Sequence, residues 1–289
     1  MQTSYADLEA DVYYLAGQKG QFESALSRIA AFEAEASSTD RLRARFLRAS
    51  ILLTVGSLAA AVPLYQEVLD QLDVDPRLQS MACVELLYCA QMTGDFSLGE
   101  QVATRYFALA NQHPEAAAPS LDRIHVLQGM LLHMQARHLE AVECFKEALR
   151  SLEDPDHPAP SGDQAHGIAF AWYGLALSYI AAGDPIMARF AIDGIRTERR
   201  SATVQALVAM AEFYLALHLQ NLDRARECLE QAEAANNDPD RAQEILLGRA
   251  RLAHQRHDRA GLARAMEQLQ LQPLLTYTVR TGMAALQRR

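Results

Sequence analysis

Small and apolar residues return along this chain in blocks. A small residue stands at Ala25, Ala61, Gly99, Ala141, Ala188, Ala225 and, less clearly, Gly261, at intervals between 36 and 47 residues. Four positions after each come Ile29, Tyr65, Ala103, Phe145, Ile192, Leu229 and Ala265, and residues four apart share one face of an α-helix. Five positions before each small residue stand Gly20, Gly56, Gly94, Ala136, Gly183, Gln220 and Arg256. Glycine suits a helix terminus because it enters the left-handed region without a steric penalty. Each block therefore predicts one helix ending at the turn residue, a short turn, and a second helix whose small side chain lets two backbones approach closely. A recurring unit of about forty residues is the signature of stacked helical repeats.

The punctuation agrees with that spacing. Ser37-Ser38-Thr39-Asp40, Asp75-Pro76, Asp184-Pro185 and Asp238-Pro239 place a capping side chain, often followed by proline, at predicted helix starts. The longest break, Glu153 to Asp163, concentrates three prolines and four acids and cannot be helical throughout. The same period resumes beyond it, which favours a loop inserted in one continuous array, residues 1–271, over a linker between domains. Beyond Pro273, the segment Leu274 to Arg289 predicts one last helix, so residues 272–289 are expected to cap the array and shield its terminal core.

Two blocks add more specific signals. Trp172, Leu175, Ala176 and Tyr179 precede Gly183 and Ala188, and the preceding block supplies Gly129, Ala141, Phe145 and Ala148. On these residues the sequence resembles the tetratricopeptide repeat family, whose unit is a helix pair with small, aromatic and turn positions at these offsets. The period exceeds the usual length of about 34 residues, and longer units of this kind are similar to those in the sensor regions of bacterial regulators and in helical scaffold proteins. The resemblance implies an all-α fold, a right-handed α-α superhelix of about seven helical hairpins plus a C-terminal capping helix. Ala25, Ala61, Gly99, Ala141, Phe145, Trp172, Ala188 and Ala225 would be its repeat-packing residues.

In that family the first helix of each pair lines the inside of the superhelix. Counting back from the turns, the implied lining is Tyr14, Ser50, Tyr88, Met130, Leu177 and Tyr214 at six positions, and Ala10, Phe46, Val84, Val126, Tyr173 and Met210 at ten. Met81, Met92 and Met134 fall close by, and methionine adapts to irregular apolar ligands. The resemblance thus implies a non-catalytic scaffold or adaptor with a protein or peptide ligand in a concave groove. Tyr14, Phe46, Tyr88, Met130, Met134, Tyr173 and Tyr214 would be anchors, and Arg43 and Arg123 would meet acidic groups. The same side chains have a competing use in packing helix on helix. A second functional expectation is a regulatory sensor that binds a peptide or small effector and controls a transcription or signalling partner. A clamp for a terminal carboxylate, as some relatives use, is not expected, because it needs lysines and asparagines on the inner helices. Lys19 and Lys146 are the only lysines, and the asparagines at 111, 221, 236 and 237 fall near predicted helix ends.

Composition narrows the function classes. Half of the residues are hydrophobic and 7% aromatic, enough for a core and contrary to a disordered chain. With 14 Gly and 10 Pro in 289 residues, the turn formers of an all-β sandwich or barrel are missing. No apolar run approaches the roughly 18 residues of a membrane span, and Asp7, Glu9 and Asp11 replace the basic start of a signal peptide, so a cytoplasmic protein is expected. The four cysteines form no CxxC pair and are expected to be reduced and packed as small apolar side chains.

No metal or cofactor is expected, nor is an enzyme. His254 with His257, and His133 with His138, lack the third ligand a zinc site requires, and no phosphate-cradling or nucleophile-elbow motif occurs. The net charge of -9 disfavours nucleic acid. The one hint in its favour is a basic C-terminal patch of Arg249, Arg251, Arg256, Arg259 and Arg264, joined by Arg196, Arg199 and Arg200 and expected to pair with Glu244 and Asp258.

Overall fold

In a computed structural model of the chain, the described residues are 4–71, 75–153, 164–197, 201–236, 238–272 and 275–287, and they form helices and no strand. The helices pair in order. The first pair is α1 (Tyr5–Tyr13), continued by a π-helical turn (Tyr14–Gln18), with α2 (Phe22–Glu35). Then come α3 (Ser38–Thr54) with α4 (Leu58–Asp70), and α5 (Pro76–Thr93) with α6 (Phe96–Gln112). A short α7 (Pro114–Ala117) and a 3-10 turn (Ala118–Ser120) lead to α8 (Leu121–Met134) with α9 (His138–Glu153). The last pairs are α10 (Gln164–Ala181) with α11 (Pro185–Thr197), α12 (Ala202–His218) with α13 (Leu222–Ala235), and α14 (Pro239–Gln255) with α15 (Arg259–Gln270), followed by α16 (Tyr277–Gln287). Residues 154–163, most of the acidic proline-rich break, lie outside the described residues.

One local device closes every hairpin. Gly20, Gly56, Gly94, Ala136, Gly183, Gln220 and His257 all have positive φ, between 58° and 80°. In the later hairpins the next amide reaches back to a carbonyl five residues earlier, as in Asp95 to Ala90, Arg137 to Leu132, Asp184 to Tyr179, Asn221 to Ala216 and Asp258 to Ala253. This is the Schellman closure, which satisfies the orphan carbonyls of the first helix. In the first hairpin the bond runs from Gln21 to Leu15, one residue longer, because the π-helical turn contributes an extra residue. The residue after the turn then caps the second helix: Asp184, Asn221 and Asp258 accept the amides of Met187, Arg224 and Gly261 at 3.0, 3.1 and 2.9 Å. In the seventh hairpin the left-handed residue is His257, so the spacing that placed that turn at Arg256 is corrected by one position.

The chain divides into two compact units, Met1–Cys89 with Ser97–Ser120, and Ala90–Phe96 with Leu121–Arg289. In the first, Leu8, Val12, Ala25, Ile29, Ala44, Leu47 and Ile51 form one core cluster. Tyr106, fully buried, donates its hydroxyl to the Ala117 carbonyl at 2.7 Å and so ties α6 to α7. Ala61 is fully buried, and so are the thiol-bearing Cys83 and Cys89.

In the second unit the small anchors Ala141, Ala188 and Ala225 have no exposed surface. The Phe145 ring from α9 wedges between α8 and α10. A Cβ at Gly129 would come within 2.9 Å of it, and one at Gly174 would clash outright. Gly194 likewise leaves room for the Trp172 ring. The repeat is thus built on bulk from one helix filling the gap left by glycine or alanine on its neighbours. At the end of the array, Val279 and Met283 of α16 cover Leu247 and Leu269, and Tyr277 meets Phe96 edge to face with centroids 5.3 Å apart. No helix among the described residues is long and apolar enough to cross a membrane.

Candidate functional site

Where first helices meet without a second helix between them, the second unit presents a polar lining. Tyr173 of α10 donates its hydroxyl to Glu244 of α14, across 71 residues of sequence. Glu244 also holds Arg241 at 2.9 Å. The Arg241 guanidinium is only 6% exposed and sits over the rings of Phe170 and Tyr173, 5.2 and 5.1 Å from their centroids, a cation–π arrangement that offsets part of its lost hydration. Its Nε is buried without a partner. The Tyr214 phenol of α12 lies near enough to feel the Glu244 carboxylate. Burial, then the neighbouring Glu244 carboxylate, pushes both phenols well above their ordinary range, so Tyr173 and Tyr214 both keep their hydroxyl protons. Arg251 of α14 lies 5.6 Å from the centroid of the Tyr214 ring.

On α8, His133 Nδ1 is 3.2 Å from the Ser178 hydroxyl. Burial, then His138 and Arg251, lower the His133 pKa from 6.5 to about 4, so the ring is neutral at pH 7. A histidine with a depressed folded pKa binds fewer protons folded than unfolded, so its contribution to stability is complete above pH 6.5 and is lost as the pH falls toward 4. Urea melts over that window should show a slope from this group approaching about 1.4 kcal/mol per pH unit. His133→Gln should flatten that component and leave the carboxylate-driven fall below it.

The predicted lining residues fall into different environments. Tyr14 is 54% exposed, with Lys19 5.6 Å from its ring centroid. Arg43 is half-buried beside the Tyr5 ring, and Arg123 is exposed. Tyr88, Met130, Met134 and Tyr214 are half-buried. The row ten positions before the turns lies deeper. Phe46 is 8% exposed and packs edge to face on Tyr65 at 5.3 Å. Tyr173 is 3% exposed, and Val84 and Met210 are fully buried. Met130, Leu177 and Tyr214 are partly exposed but rest on the core cluster.

The lining gains three residues that motif reasoning did not place there: Arg241, Glu244 and Arg251. In the sequence Arg241 and Glu244 read as an ordinary surface pair three apart at a helix start, and Arg251 reads as one member of the basic C-terminal patch.

The basic patch divides between faces. Arg249 pairs with Glu233, Arg256 with Asp223 at 2.5 Å, and Arg196 with Asp193 and Glu212. Glu244 goes to Arg241 and Asp258 caps α15, so the expected arginine pairing exists with other acids. Arg199 and Arg200 lie outside the described residues. Arg249, Arg256 and Arg264 line a cavity of about 370 Å³ between α13, α14 and α15, together with Glu230, Glu233 and Asp258, a surface of mixed charge. Among the described residues no three His, Cys, Asp or Glu side chains are grouped to hold a metal ion.

Among the described residues, seven helix pairs each turn on a left-handed residue, and most of their small anchors are buried between helices, which is a tetratricopeptide-repeat-like helical repeat fold. Solved structures share this fold. A tetratricopeptide repeat protein from Parabacteroides merdae ATCC 43184 is 14% identical, with 98% of each chain covered and a TM-score of 0.68. A Rap protein complexed with Competence and Sporulation Factor is 10% identical, with 100% of this chain and 80% of that chain covered and a TM-score of 0.68. BtubC from P. vanneervenii is 13% identical over 80% of this chain and 87% of its own, with a TM-score of 0.51. No family model and no curated protein matches the sequence.

Proposed function

We propose that the chain is a non-catalytic scaffold that captures a protein or peptide segment on the inner face of its first helices. The observation behind this reading is the composition of that face in the second unit. Half-buried Met130 and Met134 of α8, Leu177 of α10 and Tyr214 of α12 belong to the same series of first helices as Tyr173 of α10 and the arginines of α14, and apolar body with polar tips is the composition of recognition surfaces. The fold is shared with a Rap protein solved in complex with a factor, which is in keeping with the same use here. In the first unit, Tyr14, Arg43 and Tyr88 offer the corresponding positions. Phe46 and Tyr173, buried as they are, support the lining from beneath. Covering about 400 Å² of apolar peptide surface would contribute roughly 10 kcal/mol before the costs of association.

A displayed library of random linear peptides, selected on the intact chain, tests the reading. Selected peptides should lose about tenfold or more in affinity against Met130→Ala and Tyr214→Ala, under conditions where both variants remain folded by circular dichroism. Selection of no peptide, or weakening that follows unfolding alone, would overturn it.

A further inference from the structure

We infer that the segment received by the inner face of the second unit carries a glutamate or aspartate side chain whose carboxylate is taken by Arg251; this rests on the peptide-binding reading above. The inference starts from the charges on that face. Arg241 and Glu244 neutralise each other, and Glu244 is further occupied by the Tyr173 hydroxyl. Glu212, a buried acid of α12, is committed to Arg189 and Arg196. Arg251 is half-buried, and among the described residues no carboxylate stands within ion-pairing distance of it. Arg251 is therefore a cation without an ion-paired acid among the described residues, placed where water is partly excluded and an incoming negative charge gains most.

The way Arg251 is held specifies the acceptor. A guanidinium against an aromatic ring uses its face for the ring and leaves the N–H groups at its edge, a planar fork that matches the two oxygens of a carboxylate. The buried Nε of Arg241 is a second donor on the same helix still without an acceptor. The lining also continues on both sides of Arg251. Arg241 lies ten residues earlier on α14, about 15 Å along the helix, and His133 near the end of α8 lies close enough for the Arg251 charge to act on it. A segment crossing this face passes Arg251 rather than ending there, which favours an internal acidic side chain over a chain terminus.

The test uses the intact chain and two displayed libraries of random linear peptides, one with blocked and one with free carboxyl termini. Peptides selected from the blocked library should be enriched in Glu or Asp at one position. Replacing that acid by its amide should weaken binding to the wild type by about tenfold or more and leave binding to Arg251→Gln nearly unchanged, with Arg251→Lys intermediate. Unchanged thermal midpoints for both variants establish that the fold is retained. Peptides selected without acidic enrichment, or an acidic preference that survives Arg251→Gln, would overturn the Arg251 inference and leave peptide capture standing. Selection confined to free termini would replace the side chain by a terminal carboxylate. Selection of nothing from either library would overturn both readings.

Discussion

Phe145→Ala should cost the second unit about 3–5 kcal/mol, the range for removing a fully buried aromatic ring. The ring has no exposed surface and is the wedge between α8 and α10, seated on Gly129 and Gly174. Both seats are backbone, and the helices cannot collapse onto the vacancy without breaking the Schellman turns that set their spacing, so the cavity term should be fully felt. Because repeats are coupled mainly to their neighbours, the loss should be local. Hydrogen exchange should speed up in α8 to α11 and leave the core of α1 to α3 unchanged. A uniform loss of protection across the chain would show that the array unfolds as one cooperative block.

Glu244→Leu should destabilise by about 3 kcal/mol or more, because it leaves the nearly inaccessible Arg241 guanidinium without its counter-charge, and it strips an acceptor from the buried Tyr173 hydroxyl as well. Pairing the change with Arg241→Met should recover much of the loss, since replacing both partners of a buried ion pair with apolar groups is often neutral. Urea unfolding of the two single variants and the double variant measures the coupling. A double variant as unstable as the sum of the singles would mean that the pair contributes nothing beyond its separate contacts.

The repeat was legible because its devices are local. A left-handed residue followed by a capping side chain leaves a mark at fixed offsets, and Ala136 and Gln220 were found by spacing even though neither is glycine. The seventh turn slipped from His257 to Arg256 because its anchor, Gly261, is not a packing alanine; its amide goes to the Asp258 cap instead. The lining was less legible. Counting back from a turn locates a residue along a helix, but first helices are covered on two sides. Val84 and Met210 therefore sank into the core, whereas Met130 and Tyr214 stayed partly open. Periodicity gives both rows the same weight. The Arg241–Glu244–Tyr173 cluster was illegible for another reason: its members meet only after two hairpins have stacked, and nothing local announces a partner 71 residues away.

The thiols have a practical consequence. Cys83 and Cys89 lie in the first unit and Cys144 and Cys228 in the second. Burial pushes the first two up to about 12 and Cys144 up to about 11, so at neutral pH almost none of these sulfurs is in its nucleophilic form. Cys83, Cys89 and Cys228 are buried, so an alkylating reagent meets them only after a helix pair has come apart, whereas Cys144 is half-buried. Each half of the molecule thus contains its own timer, and the order in which the three buried thiols are modified reads out which pair lets go first.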